Sequence, residues 1–427
     1  MRKRFVDASL TSSLMRTAAI ALLVAATATA ETPGWPQWGG PTRDFRTSAD
    51  GLAPRWPDSG PRQLWRRALG PGHSAILCEA GRLYTMYRAA DREAVVAIDA
   101  GNGETLWEYS YAAPAKPDMQ TDFCIGPHAT PLIVGDRLFT VGGTVILNCL
   151  DKQTGRLLWS VDLMDRLGAS HVGRGYGPSP IAYEGLVILN VGGSQAGVAA
   201  LRQDTGEIAW QSEPLRPGQA SPILARIAGD DHLIVALAAD RAGLDPRSGA
   251  IRWRLALDRQ AAAIMSTPVF LPPDRVFFSS AYGGGSYVIR VTKAGDGRYT
   301  AEQVWHDKRL KVQHGNVVVL GEHVIGSSGD FGPAFMMAVR LSDGELAWRE
   351  RGFAKATLLC ADGRLIILDE EGVLALATAS PEGLTVLSRA RPLREKAWTA
   401  PTLVGTRLYL RDLHDIVALD LSAAGNS

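Results

Sequence analysis

An all-β fold, an eight-bladed β-propeller, is what this chain of 427 residues predicts, and three observations predict it. The first is a recurring hairpin: AIDAGNGETLW (97–107), CLDKQTGRLLW (149–159), ALRQDTGEIAW (200–210), GLDPRSGAIRW (243–253) and AVRLSDGELAW (338–348). Each is an apolar strand, a polar turn closed by Gly, and a strand with Trp four residues after that Gly. Gly103, Gly155, Gly206, Gly249 and Gly344 supply the positive φ that such a turn requires. The second is spacing. Trp107, Trp159, Trp210, Trp253, Trp305 and Trp348 follow one another at 52, 51, 43, 52 and 43 residues, a period of propellers and solenoids. The third is a missing strand at one end of the chain and a spare one at the other.

Taken in order, residues 1–30 read as a secretory signal. Arg2, Lys3, Arg4 and Arg16 precede an apolar run over 18–26, and Ala28-Thr29-Ala30 offers a cleavage site before Glu31. The apolar run is too short to span a bilayer comfortably, so no membrane span is expected after cleavage. The first cysteine is Cys78, so lipid attachment is not supported, and the expected location is the periplasm or beyond. Residues 31–63 form an N-terminal extension in which Trp35 is expected to matter little. Residues 64–421 hold the propeller, and 422–427 a short tail.

Within the repeats, two further strands precede each hairpin, as in ATPLIVGDRLFTVGG, SPIAYEGLVILNVGG and APTLVGTRLYLRD. Short apolar runs cut by turn residues are an all-β signature, and no run inside the repeats keeps a helical period for long. Trp305 ends a looser copy with a longer turn. The seventh copy, LALATASPEGLTVL, keeps Gly383 and places Leu387 where Trp is expected. The eighth, IVALDLSAAG, stops at Gly425. Its missing strand lies in QLWRRALG around Trp65, so the N-terminal strand is expected to pair with 417–420 and close the ring, removing two exposed edges.

A formal net charge of +1 gives no long-range pull toward nucleic acid. Four cysteines in an exported chain permit disulfides. Cys78 and Cys360 occupy the same register two blades apart and are too distant to bond. Cys124 and Cys149 flank one blade and are the pair that could form; buried free thiols are the alternative for all four.

The Ala-x-Asp-x-x-Thr-Gly-x-x-x-Trp run resembles the tryptophan-docking repeat of pyrroloquinoline-quinone-type eight-bladed propellers. That superfamily includes quinoprotein alcohol dehydrogenases and the outer-membrane assembly lipoprotein of the β-barrel assembly machinery. The resemblance implies that Trp65, Trp107, Trp159, Trp210, Trp253, Trp305 and Trp348 are structural clamps between blades. It implies for the enzyme branch a quinone held between a Trp and a disulfide of adjacent cysteines, a calcium ion and a catalytic Asp. No Cys-Cys occurs in this sequence. The lipid-modified Cys of the assembly branch is missing as well.

Aligning the approaches to the innermost strands gives one column around the ring: His73, His128, Gly177, Gln219, Met265, His314, Lys355 and Trp398. It should surround one channel mouth. Trp398 offers stacking, and Lys355 and the histidines offer partners for carboxylates, so His73, His128, Gln219, His314, Lys355 and Trp398 are the candidate ligand site. The alternative is a wet, polar mouth without a ligand. A three-histidine metal site is disfavoured because His314 is expected across the ring from His73 and His128. His171, Arg174 and Tyr176 are placed to cap the same mouth, whereas Glu370-Glu371 reads as a solvated pair. GRGYG and AYGGGS open no helix and make poor phosphate cradles. No Gly-x-Ser-x-Gly elbow occurs.

No nucleophile, base and oxyanion donor can be assembled from these residues. The expected function is therefore a non-catalytic, exported binding or scaffold protein, monomeric, with a cell-envelope protein or a small polar or aromatic ligand as partner. The alternative is a quinone-dependent dehydrogenase, with pyrroloquinoline quinone and calcium at the mouth near Lys355 and Trp398.

Overall fold

The computed structural model describes residues 34–122, 124–238, 240–256, 266–330 and 332–423. The predicted signal, Met265 and Gly425 lie outside the described residues. Eight sheets make up the described fold, each with four antiparallel strands, and one of them gains Arg46–Thr47 as a fifth, parallel strand. Numbered in chain order, the blades span 77–112, 132–162, 181–211, 223–256, 269–307, 317–351 and 357–390, with 402–420 completed by Arg62–Ala68 as blade 8. The first strand of each blade is short and touches the first strand of a neighbouring blade. The fourth strand faces outward, with exposed and covered residues mixed along it, as in Thr105–Ala112.

Ring closure follows the sequence prediction. Trp65 pairs with Ala418 and Arg66 with Val417, so the first propeller strand completes the last blade. Six of the seven clamp tryptophans donate their indole N–H to a backbone carbonyl of the next blade. Trp65 reaches Ala100, Trp107 Lys152, Trp159 Gln203, Trp210 Pro246, Trp305 Leu341 and Trp348 Ser380, at 2.8–3.1 Å. In five of these the indole also lies on the turn glycine three residues past the acceptor. Gly103 shows why that residue is glycine: its φ is 80°, and an added Cβ would sit 2.8 Å from the Trp65 ring.

Trp253 departs from the rule. The next blade has the longer turn that the sequence announced, with no glycine at the docking place. Trp253 instead donates to His232 Nδ1 of its own blade at 3.1 Å.

The seventh blade corrects the predicted alignment. A one-residue bulge precedes each clamp tryptophan, as between Thr105 and Trp107. In blade 7, Val386 pairs with Ala377 and Ser388 with Leu376, so Leu387 is the bulged residue and Ser388 holds the clamp position. Gly383 is a strand residue opposite Ser380. Spacing from the glycine was misleading because the Pro381-Glu382 turn is a tight two-residue one.

The inner strands have unpaired edges on the channel, and small hydroxyl residues serve them. Thr130 Oγ1 accepts from the Ala75 amide, Ser179 Oγ from Thr130, and Ser221 Oγ from Ser179, at 2.9–3.2 Å. Each bond joins one blade to the next. These are the small residues that set the register of the predicted column.

Of the two readings left open for the cysteines, free thiols hold: Cys124 and Cys149 are free, as are Cys78 and Cys360. Cys149 packs in the core between blades 2 and 3 with Phe139 and Leu189, while Cys124 sits in a mouth-side connection with its thiol toward the Gly126 carbonyl. Trp35, expected to matter little, is only 2% exposed and bridges to Cys78. A helix of five residues, Leu163–Leu167, capped by Asp162 and Gly168, lies in the connection leaving blade 2.

Candidate functional site

The connections that enter the innermost strands bring the predicted column to one end of the channel. His73 and His128 stack with ring centroids 5.3 Å apart and planes 17° from parallel. His73 lies 5.2 Å from the Trp398 ring, and His314 lies 4.5 Å from the same ring. Lys355 Nζ is 5.8 Å from its centroid. His314 enters from blade 6, across the ring from His73 and His128, and Trp398 stands between them, its ring against both His73 and His314. Even so, among the described residues no three His, Cys, Asp or Glu are placed to hold a metal ion.

Gln219 sits at the side of this cluster and donates Nε2–H to the Gly175 carbonyl at 3.0 Å. Gly177 makes room for it, since a Cβ there would collide with the Gln219 amide. Gln219 Oε1 and His314 Nε2 are buried without a hydrogen-bond partner, an unmet demand that a ligand or ordered water would satisfy. Lys355 is held at φ 46°, a costly conformation for a non-glycine residue and one that recurs at binding sites.

His128 and His314 are neutral near pH 7. Burial pushes His314 down to about 3, helped by the nearby Lys355 and His128. Burial also lowers His128, against the opposing effect of the Arg174 carbonyl. That carbonyl is 2.8 Å from His128 Nε2, so Nε2 carries the proton and Nδ1 the lone pair.

The surrounding shell contains residues that the sequence misjudged. Glu370, expected to be solvated, is buried. Its Oε2 accepts from Trp398 Nε1 at 3.0 Å and lies 3.5 Å from both Lys355 Nζ and Lys396 Nζ. Glu371 pairs with Lys396. Strand direction could have located Glu370, because the turn between second and third strands lies at the same end as the connection entering the first. The 163–177 connection does cap the mouth, but through backbone: the Arg174 and Gly175 carbonyls make the contacts. Tyr176 is buried, and His171 turns to Asp118 at 3.1 Å.

A sequence-family model described as outer membrane protein assembly factor BamB matches residues 91–350. The chain belongs to that family. It is 22% identical to the outer membrane protein assembly factor BamB of Yersinia pestis, over 67% of this chain and 72% of that one. It is 30% identical to the quinohemoprotein alcohol dehydrogenase ADH IIB of Pseudomonas putida, over 30% of this chain and 18% of that protein. The chain therefore spans under a fifth of that dehydrogenase's length. The solved structure of BamB from Moraxella catarrhalis superimposes with a TM-score of 0.60 at 17% identity, covering 84% of this chain and all but 1% of the other. The quinohemoprotein alcohol dehydrogenase of Comamonas testosteroni gives 0.66 at 14% identity, covering 92% of this chain and 81% of the other. The shared fold is the eight-bladed propeller. Relatives of both kinds stand beside it, so the fold does not choose between them.

The residues present do not fit a quinone held as the dehydrogenase resemblance implies. No two cysteines are adjacent in the sequence. Trp398 is already engaged by His73, His314 and Lys355. The mouth carboxylate best placed for a cation, Glu370, is committed to two lysines and an indole. Among the described residues, no helix is long and apolar enough to cross a membrane.

Proposed function

We propose that this protein is a non-catalytic, exported binding or scaffold propeller of the cell envelope, acting through the histidine–tryptophan mouth. One observation carries the reading: the mouth groups are committed to one another. Glu370 is shared by Trp398, Lys355 and Lys396, and His128 is fixed by the Arg174 carbonyl. Reactive acids and bases need free access to a substrate atom; a mutually bonded cluster makes a rigid recognition surface. Membership in the assembly-factor family supports a protein partner, and the basic, then apolar, then small-residue pattern of 1–30 supports export to the periplasm or beyond.

A photocrosslinking residue placed at exposed Arg174, on the mouth, should give a discrete adduct in envelope fractions. One at exposed Arg156, on a turn at the opposite end, should not. Intact-mass analysis of the exported protein should begin at or near Glu31. Titration with pyrroloquinoline quinone and calcium should give neither saturable Trp quenching nor dye-linked alcohol oxidation. Quenching with turnover, both lost in Lys355→Ala, would replace the scaffold reading with the dehydrogenase one.

A further inference from the structure

Residues 34–56 run across the inner strands beyond the mouth and bond to all eight blades. Trp35 exchanges two backbone hydrogen bonds with Cys78 of blade 1, and the Pro36 carbonyl accepts from Ile133 of blade 2. Trp38 Nε1 donates to Thr267 Oγ1, on the approach to blade 5, at 2.8 Å. Arg46–Thr47 lies parallel to the inner strand of blade 7, opposite Cys360 and Ala361, and Arg46 also reaches the Val319 carbonyl of blade 6. Ala53 donates to Leu421 after the last strand of blade 8. Trp56 meets Ser388, the residue standing where blade 7 lacks its clamp tryptophan, through N–H to Oγ at 2.8 Å.

Arg43 turns to the joint between blades 3 and 4. Its Nε donates to the Pro222 carbonyl at 2.9 Å, Nη1 to Pro180 at 3.1 Å and Nη2 to Ser179 at 3.0 Å, joining blades 3 and 4. The guanidinium is buried and its pKa is pushed down to about 9 by that burial. Among the described residues, Arg43 and Phe45 both take left-handed backbone, at φ 63° and 59°. The turn Gly39-Gly40 is left-handed too. A chain does not adopt that run of conformations without strong anchoring.

Depth follows from the strands. Cys78, Ile133, Val319 and Cys360 each lie five residues beyond the mouth residue of the same blade. At about 3.3 Å per extended residue, that places those backbone contacts roughly 16 Å from the mouth, while the Arg43 and Trp38 side chains reach up to residues two or three positions beyond the mouth column.

We infer that residues 34–56 are a built-in plug: they close one end of the channel, lock the eight blades to one another, and leave the histidine mouth as the route by which a ligand reaches the lumen. Arg43 is the pin. The inference is independent of what the mouth binds.

Native cysteines report it. Cys78 and Cys360 are buried inner-strand thiols where the plug pairs with blades 1 and 7, whereas Cys149 is buried between blades 2 and 3 away from it. The exported protein is exposed to a maleimide under native conditions and mapped by mass spectrometry, with amide exchange followed over Ile133 and Cys360. In Arg43→Ala, modification of Cys78 and Cys360 and exchange at both amides should accelerate at least tenfold, with Cys149 unchanged. Arg43→Lys, which keeps the charge and loses the three-carbonyl fork, should fall between. Unchanged Cys78 and Cys360 in Arg43→Ala would overturn the inference. So would Cys149 opening in step with them in both variants, because the segment would then be part of the core and not a separable plug.

Discussion

The Trp253 indole donates to His232 Nδ1 at 3.1 Å within one blade, where every other clamp tryptophan that bonds a carbonyl reaches across to the next. Tyr299 stands edge-on to the same imidazole at 4.6 Å. His232 is the substitute anchor for a joint whose facing turn has no docking glycine.

That role requires a neutral imidazole, and burial, aided by Arg252, lowers the His232 pKa to about 4. The unfolded chain takes up the proton below about 6.5, while the folded histidine refuses it until about 4. Stability contributed in this way is therefore present above 6.5 and lost as the pH falls toward 4. His314 acts with the same sign to a lower pH. His232→Asn retains an acceptor and cannot titrate. Urea unfolding at pH 7.5 and pH 5 should show a smaller acid loss in that variant than in the parent protein.

Trp159→Ala should cost about 3–5 kcal/mol, the range for deleting a large packed aromatic, because it removes both the packing on Gly206 and the bond to Gln203. Trp35→Ala should cost a similar amount, contrary to its place in an apparently peripheral extension, since Trp35 is buried beneath Gly40 and beside Cys78. Arg156→Ala, on an exposed turn, should stay within about 0.5 kcal/mol. Equilibrium unfolding of the three variants measures the order.

Gly103→Ala and Gly81→Ala separate crowding from backbone strain. Both glycines have positive φ, 80° and 74°, so each pays about 1–2 kcal/mol for a left-handed alanine. A Cβ on Gly81 meets open space, whereas on Gly103 it meets the Trp65 indole. Gly103→Ala should lower the melting temperature clearly further, and an equal loss in both would mean that the clamp contributes little.

Glu370→Gln should loosen the mouth without unfolding the ring. The Trp398 N–H keeps an amide oxygen as acceptor, but Lys355 loses its carboxylate 3.5 Å away and Lys396 keeps only Glu371. Lys355 and Lys396 would then repel each other beside the indole. Near-ultraviolet dichroism should change with the melting temperature nearly unaltered; a parallel collapse of both would make Glu370 a core residue.

The Trp–Gly hairpins, the count of eight and the displaced closing strand were legible because each is local chemistry repeated. A positive φ selects Gly103 or Gly155 wherever it occurs, and a chain that lacks one strand at its end must find it elsewhere. The column His73, His128, Gln219, His314, Lys355 and Trp398 was legible for the same reason, since blades repeat in register. Tertiary structure alone decided the rest. His314 meets Trp398 because side chains from distant blades converge over a channel, and no spacing along the chain encodes that distance. Glu370 becomes buried because two lysines and an indole arrive from other connections. Ser388 takes the clamp position because a bulge shifts pairing by one residue. The plug is the extreme case: Arg43 has three carbonyl partners only after blades 3 and 4 stand side by side, since long-range bonds depend on which strands the closed ring makes neighbours.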